Sequence, residues 1–177
     1  LDCMRVNGSE YAMYSISAGA FTSAAYTTPQ QTKRALGLLA YGLEGIRKNL
    51  PFRVFPVKIS DGRTSARTEC VFALIMNSKC VAGWRMNKEG SMCDGVMESA
   101  VIKQKAKPNL YNKARALLAI ARLFAFGYRF KERNIIRMKG EKLRFEAPED
   151  IVWNYDGGIN PMDDGYIRFE HIRKEFP

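Results

Sequence analysis

Residues 151–158 read Ile151-Val152-Trp153-Asn154-Tyr155-Asp156-Gly157-Gly158. Ile151, Trp153 and Tyr155 alternate with Val152, Asn154 and Asp156, the two-residue period of a strand with unlike faces. The alternation stops abruptly at an aspartate followed by two glycines. Two readings of that stop are open. Asp-Gly is a favoured hairpin dipeptide, because both residues tolerate the backbone of a tight turn. A strand that ends by presenting a carboxylate on a glycine-rich turn can also hold a general base at the mouth of a cleft.

Short strands separated by turns surround this stretch. Downstream of residue 134 the pattern predicts strands at 134–138, 142–147, 151–156, 165–170 and 172–176. Turns fall at Lys139-Gly140-Glu141, Pro148-Glu149-Asp150 and Asp163-Asp164-Gly165. Near the N-terminus, residues 1–6 and 11–21 read as strands around Asn7-Gly8-Ser9-Glu10. The second is rich in small residues, so a neighbour packs closely against it. A hairpin follows: 52–59 alternates, Asp61-Gly62 turns, and 67–77 returns. Pro56 has no N–H to donate and puts the first of these strands at an edge. A polar, irregular loop over 77–91 and the pair Asp94-Gly95 lead into a strand at 96–102.

Two segments carry helical spacing instead. Over 28–48, Thr28 caps, Pro29 takes the first position, Gln31 reaches back, and Leu36, Leu39, Ala40, Leu43 and Ile46 follow. Over 109–126 the polar stripe is narrow (Asn112, Arg115, Arg122). A helix apolar nearly all round is predicted to be wrapped by the core, the alternative being one that lies on a membrane surface. At least nine short strands and two helices predict a mainly-β domain. Consecutive hairpins make it a largely antiparallel, two-sheet β-sandwich with helices over an end or edge.

At 177 residues, 46% apolar and 26% charged, the chain reads as one domain or two very small ones, globular in composition rather than disordered. Arg115 and Arg122 interrupt its longest apolar run, so no transmembrane helix is predicted. The balance of 28 Lys and Arg against 18 Asp and Glu, a formal +10, suits an anionic partner and equally suits plain solubility. The basic residues are spread without a recognised module, which argues against nucleic acid. Cys3, Cys70, Cys80 and Cys93 form no C-x-x-C pair and read as buried free thiols in a reducing cytoplasm. A single histidine, His171, excludes a His-rich metal site. The start at Leu1-Asp-Cys-Met-Arg suggests a fragment or a processed chain.

Four stretches together resemble one family. Pro29 to Ile46, P-Q-Q-T-K-R-A-L-G-L-L-A-Y-G-L-E-G-I, is similar to a helix of bacterial diacylglycerol kinase-type lipid kinases. Asn77-Ser78 with Ala82-Gly83 resembles that family's N-S-x-x-x-G-G loop. Cys93 to Glu98 resembles its D-D-G-hydrophobic-hydrophobic-D segment. Trp153 to Gly157 resembles its W/L-N-hydrophobic-D-G-E segment. Order and spacing match over roughly residues 10–177.

The resemblance implies the C-terminal β-sandwich domain of a two-domain kinase, spanning 1–177. The N-terminal nucleotide-binding domain, with its G-G-D-G-T loop, would be absent, and NAD kinases and sphingosine kinases share the architecture. It further implies an ATP- and Mg²⁺-dependent transfer of the γ-phosphoryl group to a lipid hydroxyl, inactive in this fragment alone. By the same analogy Asp156 is the catalytic base. Asp94 is the carboxylate of a structural Mg²⁺ site, joined by the backbone carbonyls of Ser91 and Val96. ATP would bind mainly to the missing domain. Expected partners are that domain and a lipid at the membrane surface, with a homodimer also allowed, and the expected location is cytoplasmic and peripheral. Three departures stand out: Gly158 where the family often has Glu, Glu98 for Asp, and the wording of 78–90. Glu98 is expected in a structural ion pair. Alternatives are a non-catalytic sandwich that binds anionic lipid, or a sphingosine kinase-like or NAD kinase-like activity.

Overall fold

A computed structural model describes residues 1–20, 53–81, 83–160 and 166–173. Its strands are β1 (Asp2–Val6), β2 (Glu10–Ala12), β3 (Ser15–Gly19), β4 (Phe55–Ser60), β5 (Ser65–Met76) and β6 (Met97–Lys103). After the helix α1 (Leu110–Phe126) come β7 (Ile135–Gly140), β8 (Lys142–Glu146), β9 (Trp153–Tyr155), β10 (Gly158–Asn160) and β11 (Tyr166–Arg173). The helix expected over 28–48 lies outside the described residues.

All pairings are antiparallel, as the run of hairpins predicted. Where two sheets were expected, the described strands form one connected sheet, ordered β10-β9-β3-β5-β4-β8-β11-β1-β2, with β6 and β7 branching from β5. The long β5 is the reason. Its first half pairs β4 through Ser65–Cys70, and its second half pairs β3 and β6. The path then curls, because β2 ends at Ala12 and β3 starts at Ser15. A two-residue link joins the last strand of the path back to its third, so the sheet closes nearly into a barrel.

Side chains from nearly every strand fill that interior, including Met4, Ile16, Phe55, Ile59, Ile75, Phe145, Trp153 and Phe169. Phe145, Trp153 and Phe169 stack with ring centroids 5.6–6.0 Å apart, edge-on or tilted, the arrangement ring quadrupoles favour. A second apolar layer lies outside the branch, where Leu74, Met76, Ala100 and Ile102 meet Ala116, Ala119, Ile120 and Leu123 of α1. The apolar run Cys70–Met76 is thus buried on both faces. Val71 and Phe72 both turn toward the helix layer because the β5–β6 register shifts between Cys70 and Phe72.

Several strand placements and boundaries differ from the sequence pattern. β4, expected at an edge because of Pro56, lies between β5 and β8, and it tolerates the proline because β8 pairs only Lys58–Ser60. The strand expected over 11–21 breaks at Met13–Tyr14, whose N–H groups turn to a side chain from β9's end rather than to a neighbouring strand. The two strands expected at 165–170 and 172–176 are one through Arg173, since β11 pairs β8 at its start and β1 at its end. Close packing was expected along the small-residue strand, and it occurs at Gly19. A Cβ there would lie 2.3 Å from the Val71 carbonyl oxygen.

Asn109 caps α1, its Oδ1 accepting the Asn112 N–H at 2.8 Å. Gly127 ends it with φ +87°, and a Cβ there would meet the Met86 carbonyl at 2.6 Å. The helix is not wrapped by the core. It buries only Ala116, Ala119, Ile120 and Leu123, while Leu110 (83%), Tyr111 (67%), Phe126 (60%) and Leu118 (47%) stand exposed.

Just beyond α1, the Tyr128 hydroxyl donates to the Met138 carbonyl at 3.2 Å. Burial, seconded by the Glu98 charge, pushes this phenol up to about 12 from 10. Folding therefore favours the neutral phenol. Its contribution is complete below pH 10 and is lost as the pH rises toward 12. Chemical denaturation at pH 9 and pH 12 is expected to lose about 2 kcal/mol more for wild type than for Tyr128→Phe. Equal losses in the two proteins would remove Tyr128 from the alkaline transition.

Candidate active site

The β9–β10 connection is a two-residue hairpin. Tyr155 pairs Gly158, and the two central residues, Asp156 (φ +49°) and Gly157 (φ +100°), both have left-handed backbone. That is the geometry Asp-Gly favours. The Asn154 Oδ1 accepts the Gly157 N–H at 2.9 Å and fixes the turn. Asp156 is exposed, yet its carboxylate is held: Oδ2 accepts the Met13 N–H at 2.5 Å, and Oδ1 accepts those of Tyr14 and Ser15 at 2.8 Å each. The Asp156 N–H donates to the Ser15 carbonyl at 3.0 Å. An ionised carboxylate has about four acceptor positions, so one on Oδ2 is left by the donors among the described residues. Turn and oriented carboxylate are one object.

Gly158 begins β10, and its backbone is not left-handed. The nearest atom to a Cβ there would be the Tyr155 carbonyl oxygen at 3.4 Å, an ordinary contact. Space alone does not require glycine.

Ser91, Asp94 and Val96 share the loop before β6. The Asp94 Oδ1 accepts the Val96 N–H at 3.2 Å, and the Ser91 hydroxyl accepts that of Cys93 at 3.2 Å. The buried Asp2 holds this loop to β1. Its N–H donates to the Met92 carbonyl at 2.6 Å, and its Oδ2 accepts the Gly95 N–H at 3.1 Å. Among the described residues no three His, Cys, Asp or Glu side chains gather as a metal cluster. The donors expected to hold a cation here are oxygens, the Asp94 carboxylate and the backbone carbonyls of Ser91 and Val96. That set is compatible with Mg²⁺ that keeps much of its water shell.

Asn77 connects the two places. Its Nδ2 donates to the carbonyls of Asp2 (3.1 Å) and Met13 (3.2 Å), and its own N–H reaches the Tyr14 carbonyl (3.0 Å). A hydrogen-bonded path therefore runs from the 91–96 loop through Asp2 and Asn77 to the 13–15 turn and Asp156. The Asn77 Oδ1 is buried with no partner among the described residues. Neither Asn77 nor Asp2 was singled out for a role from the sequence. The signal for Asn77 was its place at the head of the loop that resembles N-S-x-x-x-G-G, directly after an apolar strand, and Asp2 carried none.

Glu98 is buried and accepts from the Asn87 Nδ2 and the Lys139 Nζ, both at 2.8 Å. It forms the expected structural ion pair, and the bond to Glu98 raises the Lys139 ammonium above its ordinary value. Cys3 and Cys70 are buried free thiols as expected. Cys80 and Cys93 are free but exposed, because both sit on loops rather than in the strands beside them.

Comparison with known proteins places this architecture. No family model matches the chain. A diacylglycerol kinase of Bacillus subtilis (strain 168) is 26% identical over 180 residues, covering all of this chain and 57% of that protein. A YegS-like lipid kinase, provisionally so named, from Shewanella frigidimarina (strain NCIMB 400) is 25% identical over 98% of this chain and 53% of its own length. The chain thus spans about half the length of these curated relatives. In fold it is similar to a Bacillus anthracis (strain Sterne) protein provisionally named a diacylglycerol kinase. The TM-score is 0.69 at 18% identity, over 98% of this chain and 55% of that one. A crystal structure of a diacylglycerol kinase from the same strain gives 0.63 at 15% identity over 98% and 50%. In sequence the chain is similar to bacterial diacylglycerol kinase-type lipid kinases over about half of their length, and it shares their fold.

Proposed function

We propose that the chain is the C-terminal half of an ATP- and Mg²⁺-dependent lipid kinase that transfers the γ-phosphoryl group to a lipid hydroxyl. The observation that supports this best is the exposed Asp156 carboxylate, aimed by three backbone amides and tied through Asn77 and Asp2 to the Asp94 loop. In this reading the free acceptor position on Oδ2 takes the proton of the lipid hydroxyl as its oxygen attacks phosphorus. Asp94, with the carbonyls of Ser91 and Val96, would hold a structural Mg²⁺, whose role is to fix the 91–96 loop through hard oxygen ligands. ATP would bind mainly to a nucleotide-binding half, the chain's partner, and without that half this chain would be inactive. The enzyme would meet its lipid at the membrane surface from the cytoplasm. Among the described residues no helix is long and apolar enough to cross a bilayer.

The test joins residues 1–177 to the nucleotide-binding half of the Bacillus subtilis relative and measures ATP-dependent phosphorylation of diacylglycerol in mixed micelles. Activity that requires Mg²⁺ and falls in Asp94→Ala supports the reading. An inert, well-folded chimera counts against it.

A second reading, a non-catalytic domain that binds anionic lipid, is favoured by Gly158, which stands where related kinases often carry Glu. Gly158→Glu tests whether the missing carboxylate limits the kinase, while a chimera inert both with and without it favours the non-catalytic domain. The Cβ fits at 3.4 Å from the Tyr155 carbonyl, so the variant should fold and raise chimera turnover severalfold if the position supports the base. Unchanged turnover would mean that Asp156 needs no second carboxylate.

A further inference from the structure

We infer that the outward face of α1 is a docking surface for an anionic lipid bilayer. Along the helix, Tyr111, Ala114, Leu118, Ala121 and Ala125 recur at intervals of three or four and are all exposed. They lie opposite Ala116, Ala119, Ile120 and Leu123, which meet the sheet. Leu110 and Phe126 extend the apolar stripe at its two ends, and Phe130 stacks on Phe126 with ring centroids 5.0 Å apart. A contiguous exposed apolar stripe, unlike single exposed apolar residues, marks a surface that something covers.

Charge selects the partner. Between residues 101 and 133 there are nine Lys and Arg and one acidic residue, Glu132. Glu132 is already engaged by Arg122 at 2.9 Å. Arg115 and Arg122 line one edge of the stripe, and Arg115 lies over the Tyr111 ring at 5.8 Å. Lys105 and Lys107 before the helix, and Lys131 and Arg133 after it, are exposed without a carboxylate partner among the described residues. A second copy of this chain would bring the same positive rim against itself. A bilayer with anionic headgroups instead meets the rim with opposite charge and offers hydrocarbon to the stripe, as for helices that lie in the interface. The helix stays parallel to the surface, because its other side is fixed to β5 and β6. This inference stands on the helix face and does not rest on the kinase reading.

The test uses the chain with two vesicle types, pure phosphatidylcholine and three parts phosphatidylcholine to one part phosphatidylglycerol. Co-sedimentation is expected on the anionic vesicles and at least tenfold weaker on the neutral ones, falling further as salt rises. Leu118→Glu changes only an exposed position and should weaken binding at least tenfold while leaving the thermal midpoint unchanged. In a Leu118→Trp variant, lipids brominated along the acyl chain should quench the added fluorescence. The inference is overturned if anionic vesicles do not bind the chain, or if they bind Leu118→Glu as well as wild type. It is equally overturned if sedimentation without vesicles shows a dimer that Leu118→Glu dissociates.

Discussion

Asp156→Asn, in a polypeptide carrying both kinase halves, is expected to lower lipid phosphorylation about 10²–10⁴-fold, the span general-base removal commonly costs. The substitution isolates chemistry from architecture better than alanine does. Asparagine tolerates the left-handed backbone at φ +49°. Its remaining carbonyl oxygen can keep the two bonds from Tyr14 and Ser15. Only the Oδ2 position becomes a donor, facing the Met13 N–H and any approaching hydroxyl. The thermal midpoint should therefore fall slightly for Asp156→Asn and further for Asp156→Ala, which leaves all three amides to water. If the Asn variant keeps full kinase activity while the Ala variant loses both stability and activity, Asp156 is only the clamp of the 13–15 turn. The proton must then go elsewhere.

Gly19→Ala is expected to destabilise the domain by about 2–5 kcal/mol, combining an overpacked contact with a strained backbone. The Cβ would sit 2.3 Å from the Val71 carbonyl oxygen and 2.9 Å from the Phe55 ring, at φ +94°. Backbone cannot give way as a flexible side-chain end can, and Val71 already accepts the Ala20 N–H at 2.7 Å. Gly8 provides the control. It has nearly the same φ, +82°, but nothing within 4 Å of a Cβ, so Gly8→Ala should cost only about 1–2 kcal/mol of backbone energy. Urea denaturation of both variants measures the difference. Equal losses would mean that the β3–β5 approach is looser than its geometry.

The candidate site was legible where its parts are local. Asp156-Gly157 turns where the alternation of Ile151, Trp153 and Tyr155 stops. Asp94-Gly95 lies at the loop end before β6, and Glu98 makes its ion pair. What could not be read were the long-range partners. The carboxylate of Asp156 is bound by amides 141–143 residues earlier in the chain, and no local pattern at Met13 or Tyr14 marks them as donors. Asp2 and Asn77 likewise matter only because β1, β3 and β5 converge at one end of the sheet. The outward face of α1 was misjudged for a related reason. A narrow polar stripe fits burial on all sides, and only the position of β5 and β6 decides which side is covered.

By itself, then, the sequence determined the antiparallel hairpins, the Asp-Gly turns, the helix over 109–126, and the resemblance to lipid kinases. These rest on periodicities and turn chemistry that act within a few residues. The tertiary structure alone decided that the described strands join in one curling, branched sheet, that the Asp94 loop and Asp156 share an end of it, and that α1 keeps an apolar face outward. Each depends on which distant groups satisfy a hydrogen bond or cover a surface, and sequence neighbours do not specify that choice.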